Sequence, residues 1–156
     1  MSIDGVLKGH DLFRSLNFDQ AHLISEFSSL KNINQGEAVF KYDTPASHIF
    51  MLIDGSVSLR LPAESQDFSL IISNIQKGEL FGLSPLLGSQ RYTATAICNS
   101  DSEVLFIEAE PFLEILMKNC PVGFNVMNRV AHIYFNRYIK LLENLQGVVS
   151  QISLIR

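Results

Sequence analysis

Between Ile33 and Ile107 the chain is a succession of short apolar or alternating runs, each closed by a turn signal. Ala38-Val39-Phe40 is followed by Asp43-Thr44-Pro45, Ile49 to Ile53 by Asp54-Gly55, and Leu70-Ile71-Ile72 ends near Lys77-Gly78. Val57, Leu59 and Leu61 alternate with Ser56, Ser58 and Arg60, the period of a half-buried strand. Thr93 to Cys98 and Val104 to Ile107 complete the set. Many short strands at this spacing predict a sandwich or barrel. The Asp54-Gly55 pair predicts a tight hairpin, because both residues tolerate positive φ.

Helical patterns bracket this region. Residues 7 to 30 read as helical, with Leu7, Leu12, Phe13 and Leu16 as one apolar group and Leu23, Ile24 and Phe27 as another. Asn17, three residues before Gln20, resembles a capping box. Pro111 fits a helical first turn, and Pro121 opens a longer stretch. Phe124, Met127, Ala131, Tyr134, Tyr138, Leu141, Leu145, Val148, Ile152 and Ile155 then follow at alternating spacings of three and four. That is a heptad seam. Its first turns read as packing on the chain's own core. Beyond Leu141 a helix this long overruns a small barrel, which predicts a coiled coil between two protomers. Gly147 costs a helix about 1 kcal/mol relative to alanine, so the state of residues 147 to 156 stays open.

The expected organisation is one domain over residues 1–156. N-terminal helices reach about residue 32, a β-barrel spans 33–108 with a pocket loop at 78–93, and C-terminal helices fill 109–156. The net charge of -4 and the lack of a Lys/Arg cluster argue against direct nucleic-acid binding. Two cysteines, Cys98 and Cys120, cannot build a disulfide framework or a cluster site alone. The N-terminus lacks the pattern of a signal peptide, and no apolar run approaches the roughly 20 residues of a membrane span. Cytoplasm is the default compartment. His10, His22, His48 and His132 show no ligand spacing, so no metal is expected. The chain has neither a Gly-x-Ser-x-Gly elbow nor a Walker loop, so no catalytic residues are assigned.

Four glycines sit among telling neighbours: Gln35-Gly36-Glu37, Ile53-Asp54-Gly55-Ser56-Val57, and Lys77-Gly78-Glu79-Leu80-Phe81-Gly82. With Ser102-Glu103-Val104-Leu105, these stretches resemble the cyclic-nucleotide-binding domain family over about residues 10 to 140. That family includes the catabolite activator protein and the regulatory subunits of protein kinase A. The resemblance implies a mainly β fold, a double-stranded β-helix or jelly-roll barrel with N-terminal helices and a long C-terminal helix. It implies a non-catalytic regulatory role and dimerisation through that helix. The helix-turn-helix domain of the DNA-binding branch has no room before Arg156, so a regulator without its own DNA-binding domain is one expectation.

The family's loop grips a phosphate with backbone amides and an arginine, and a ribose with a glutamate directly after Phe-Gly. Phe81-Gly82-Leu83-Ser84-Pro85 to Arg91-Tyr92-Thr93 is the matching stretch here. Without a gap, Leu83 stands at the glutamate position and Tyr92 at the arginine position, with Arg91 one residue early. Phe81, Gly82, Leu83, Ser84, Arg91, Tyr92 and Thr93 are therefore the candidate ligand-binding residues. Tyr134, Tyr138, Leu141 and Leu145 are the candidate residues of the dimer and signal helix. No cofactor is assigned, and a cyclic nucleotide is disfavoured as ligand. Action through another small ligand or a protein partner is the leading expectation. The alternative is a working cyclic AMP or cyclic GMP receptor in which Arg91 clamps the phosphate.

Overall fold

The computed structural model describes residues 2–62 and 69–153. Its elements in chain order are α1 (Ile3–Gly9), a 3-10 turn (Asp11–Phe13), α2 (Phe18–Glu26), β1 (Ser28–Ile33), β2 (Ala38–Phe40), β3 (His48–Asp54) and β4 (Val57–Pro62). There follow β5 (Ser69–Ile75), β6 (Leu80–Phe81), a second 3-10 turn (Ser84–Leu87), β7 (Thr95–Cys98), β8 (Ser102–Glu108), α3 (Ala109–Lys118) and α4 (Cys120–Ser153). The strands form two antiparallel four-stranded sheets, ordered β1-β8-β3-β6 and β2-β7-β4-β5.

The reason Ile49 to Ile53 runs apolar without alternation is that β3 is covered on both faces. Ile49, Met51 and Ile53 pack outward against Leu7, Phe13, Ile24, Phe112 and Val126 of the helices. Phe50 and Leu52 point inward, meeting Val57 and Leu59 of the opposite sheet. Strand β8 does the same, with Leu105 and Ile107 outward and Val104 inward. Two apolar layers thus share one central sheet.

The capping box at Asn17 is present: its side chain accepts from the Gln20 amide at 2.8 Å, and the Gln20 side chain accepts from the Asn17 amide at 3.0 Å. The helical reading of residues 7 to 30 needs correction at both ends. Helix α1 starts at Ile3, and Ser28–Ile33 is a strand paired with β8 from Ser28↔Ile107 to Ile33↔Ser102. The open edge of β8 captures this segment, a long-range demand that overrides local propensity.

Two further expectations change. The sheets are not closed into a barrel. Strand β6 holds only two residues before Gly82, at φ +64, turns the chain into the pocket loop, so the fold is an open jelly-roll sandwich. The Asp54-Gly55 turn is not a hairpin either. Strands β3 and β4 lie in different sheets, Asp54 stays extended and paired to Glu103, and Gly55 at φ +96 carries the chain across the sandwich. The partner of β4 along the chain is β5, with Val57 opposite Ile75 and Pro62 opposite Ser69.

Helix α4 continues through Gly147 to Ser153, and Ile155 of the expected seam lies outside the described residues. Val122, Val126 and Val130 bury its first half against the core. Met127 also packs there. Tyr134 and Leu141 turn toward the pocket loop, while Phe124, Phe135, Tyr138, Leu142 and Leu145 are exposed. The apolar stripe left outside runs through Phe124, Ala131, Phe135, Tyr138, Leu142 and Leu145, with Tyr134 partly exposed at its margin and Val148, Val149 and Ile152 exposed beyond it. It shares Phe124, Ala131, Tyr138 and Leu145 with the expected seam, and Phe135 and Leu142 take the places of Tyr134 and Leu141, which line the pocket.

Candidate functional site

The pocket loop leaves β6 along a line of close contacts with its neighbour β3. Gly82 lies so near the Phe50 and Phe40 rings that an added Cβ would sit 2.5 Å from Phe50 Cδ2. Leu83, Ser84 and Leu86 follow as buried residues, and Gly88 at φ +78 closes the 3-10 turn. Between this loop with the Thr93-Ala94 segment that leads into β7, strands β2, β4 and β5, and α4 lies a cavity of about 190 Å³. Of the expected site residues, Gly82, Leu83, Ser84, Thr93, Tyr134, Tyr138 and Leu141 line it. Phe40, Leu59, Ile72 and Ala94 add apolar wall, and Ser73 adds a hydroxyl.

The remaining expected residues lie elsewhere. Phe81 is wholly buried between the sheets, 5.4 Å from the Phe50 ring centroid. Leu145 is exposed beyond the cavity. Tyr92 is buried with its ring stacked 4.1 Å from that of Phe40. Its hydroxyl donates to the His48 carbonyl at 2.8 Å and accepts from the His48 amide at 3.1 Å. Burial pushes this phenol up from its ordinary range, and the backbone contact at His48 partly offsets that. Tyr92 thus fastens the loop to the start of β3. Removing its hydroxyl by Tyr92→Phe leaves the His48 peptide groups without their partner. Such a loss costs about 1–3 kcal/mol, and a lowered urea midpoint at unchanged slope is the expected reading.

Arg91 reaches outward. Its Nε donates to Asp43 Oδ1 at 2.6 Å and its Nη2 donates to the Asp43 carbonyl. Asp43 itself is held at φ +59, where its amide donates to the Tyr92 carbonyl at 2.9 Å. Arg91 is more than half exposed and contributes nothing to the cavity wall.

The cation that does line the cavity is Arg137 of α4. Its Nη2 donates to the Leu80 carbonyl, tying α4 to β6. Burial pushes the guanidinium down from its ordinary value, opposed by the negative charge of Glu79. It remains protonated at neutral pH. Glu79 is occupied by its own turn, accepting from the Gln76 amide at 3.0 Å. Among the described residues Arg137 forms no ion pair. Tyr134 lies beside it. Burial raises the Tyr134 phenol, while the Arg137 charge and a hydrogen bond with Ser84 hold it back. Sequence reasoning missed Arg137 because an arginine on a helix reads as solvent-facing. The available signal was its position, three residues after Tyr134 and four before Leu141, on the same face as both.

Arg137 also walls a larger groove of about 710 Å³ on the opposite flank of α4, beside His10, Glu79, Arg129 and Lys140. His10 spans that groove's floor: its Nδ1 accepts from the Leu12 amide at 3.1 Å, so its Nε2 carries the proton donated to the Gly78 carbonyl at 2.7 Å.

Residues 30–119 match the model of the cyclic nucleotide-binding domain. The chain belongs to that family. The cyclic AMP receptor protein of Thermus thermophilus is 25% identical over 126 residues, which cover 80% of this chain and 57% of that protein. The chain thus spans little more than half the length of this relative. A solved structure of a candidate cyclic nucleotide-binding protein from Geobacter metallireducens superposes with a TM-score of 0.75 at 25% identity, covering 88% of this chain and 99% of that one. The sensor domain of the transcriptional regulator DNR from Pseudomonas aeruginosa shares the fold at a TM-score of 0.73 and 23% identity, over 87% of this chain and 96% of that one. The family is regulatory, and no helix among the described residues is long and apolar enough to cross a membrane.

Proposed function

We propose that this cyclic-nucleotide-binding-type domain is a cytoplasmic, non-catalytic, dimeric sensor whose loop no longer grips a cyclic nucleotide. The carrying observation is the fate of the two key positions. Leu83 presents a buried isobutyl group to the cavity where the family places its ribose-binding carboxylate. Tyr92, at the arginine position, spends its hydroxyl on His48. Hydrogen bonds to charged groups contribute about 1.5–3 kcal/mol each. Losing both weakens binding by about 10²- to 10⁴-fold. The cavity, at about 190 Å³, is also below the roughly 300–1,000 Å³ usual for ligand pockets. Leu83, Tyr138 and Leu141 stand in its wall.

The second half of the reading concerns output. The exposed stripe from Phe124 to Leu145 repeats at 7, 4, 3, 4 and 3 residues, the spacing at which one helix packs along another of the same kind. A second copy of the chain is its natural cover. Tyr138 lies both on that stripe and in the cavity wall, so occupancy of the cavity can bias how the helices pair. Regulation then passes through a protein partner rather than through chemistry. Titration calorimetry with cyclic AMP and cyclic GMP is expected to give no heat of binding up to near-millimolar ligand. Micromolar affinity that disappears in Arg91→Ala would instead establish the receptor reading, with Arg91 leaving Asp43 to clamp the phosphate.

A further inference from the structure

We infer that the cavity under α4 takes a small organic carboxylate with an apolar body, and that Arg137 is the group that recognises it. The inference rests on the reading of the fold's pocket as altered, and it names what the alteration is for. Three observations carry it. The cavity wall is mostly apolar, from Phe40, Leu59, Ile72, Leu83, Ala94 and Leu141. Its polar groups are few, and among them Tyr134 neighbours both Ser84 and Arg137. The Arg137 guanidinium is partly withdrawn from water, spends a donor on the Leu80 carbonyl, and has no carboxylate partner among the described residues.

Glu79 acts on this guanidinium only at longer range than an ion pair, and an anion entering the cavity would supply a direct one. The fork geometry of arginine matches a planar carboxylate, which accepts two parallel N–H bonds. A single cation suits a monoanion, and the apolar walls suit a short hydrocarbon or aromatic ring rather than a sugar. The small volume limits that body to a few carbons or one ring. The Tyr134 and Ser84 hydroxyls are placed to complete the carboxylate's hydrogen bonds. The cation has thus moved from the loop, where the family keeps it, to the helix. Ligand binding would act on the Arg137 to Leu80 link, which joins α4 to β6 and the base of the pocket loop.

The test compares benzoate with its neutral isostere benzamide by saturation-transfer NMR and calorimetry on the full chain, with cyclic AMP titrated in parallel. Benzoate is expected to bind at least about tenfold more tightly than benzamide, because the charged pairing is absent from the amide. Arg137→Gln is expected to erase that difference, and Arg91→Gln to leave it intact. Thermal unfolding of each variant reports whether the fold survives, and the comparison of the two ligands on the unmodified chain needs no variant at all. Equal affinity for both ligands, or no binding of benzoate, overturns the inference. If cyclic AMP is also silent, only this inference fails; if cyclic AMP binds at micromolar concentration, the altered-pocket reading fails with it.

Discussion

Replacing Gly55 with alanine is expected to lower the domain's stability by about 2–6 kcal/mol, a large part of the roughly 5–15 kcal/mol that holds such a domain together. Two costs combine. The backbone at φ +96 lies where a side chain is strained, worth about 1–3 kcal/mol. The new Cβ would also fall 2.3 Å from Ser102 Oγ and 2.7 Å from both the Asp101 carbonyl oxygen and Ser102 Cα. Two of those atoms are backbone and cannot swing aside. Overpacking of that kind costs about 1–3 kcal/mol more. Gly36 separates the two contributions, because it has φ +85 but nothing within 4 Å of an added Cβ. Gly36→Ala carries the strain alone. Urea unfolding of both variants is the measurement, and equal midpoints would show that the Gly55 contact relaxes freely.

The same glycine marks how far the sequence could be read. Its neighbours placed a turn correctly, since Asp-Gly fits any sharp reversal. Whether that turn joins neighbours in one sheet or crosses between two depends on what β3 pairs with, and its partners are β8 and β6. The unbroken run at Ile49 to Ile53 announced a strand covered on both sides, and the helices and the opposite sheet do cover it. Ser28 to Ile33 carried no such signal, because its partner β8 lies at the far end of the strand region. The pocket was legible as backbone, through Gly82 and the loop that follows. It was not legible as chemistry. Arg91 and Tyr92 look like ligand groups in the sequence, but Asp43 and the His48 peptide engage them, and neither interaction has a local sequence signature. Arg137 needed the docking angle of α4, which the packing of Val122, Val126 and Val130 on the core sets.

That docking angle decides the second large effect. Interleaved with Ala131, Tyr138 and Leu145, a spacing of three and four is satisfied by Tyr134, Leu141 and Val148, and equally by Phe135 and Leu142 placed one residue later. Packing on the domain takes Tyr134 and Leu141, so the pairing face falls on Phe135, Tyr138, Leu142 and Leu145. In a parallel two-stranded coiled coil each of these residues approaches its own copy. Leu142→Asp would therefore bury two like charges without partners, at a cost of several kcal/mol per ion. The dimer is expected to weaken by about 10³-fold or more, and light scattering at micromolar protein should read a monomer. Val148→Asp, also on α4 and exposed, sits on the other line and is expected to leave the dimer in place. Neither change touches the cavity, so both variants should stay folded, with Leu142→Asp losing only the part of the unfolding temperature that dimerisation adds. A dimer that survives Leu142→Asp but not Val148→Asp would return the seam to its unrotated line. It would then pull Tyr134 and Leu141 away from the pocket whenever two chains meet.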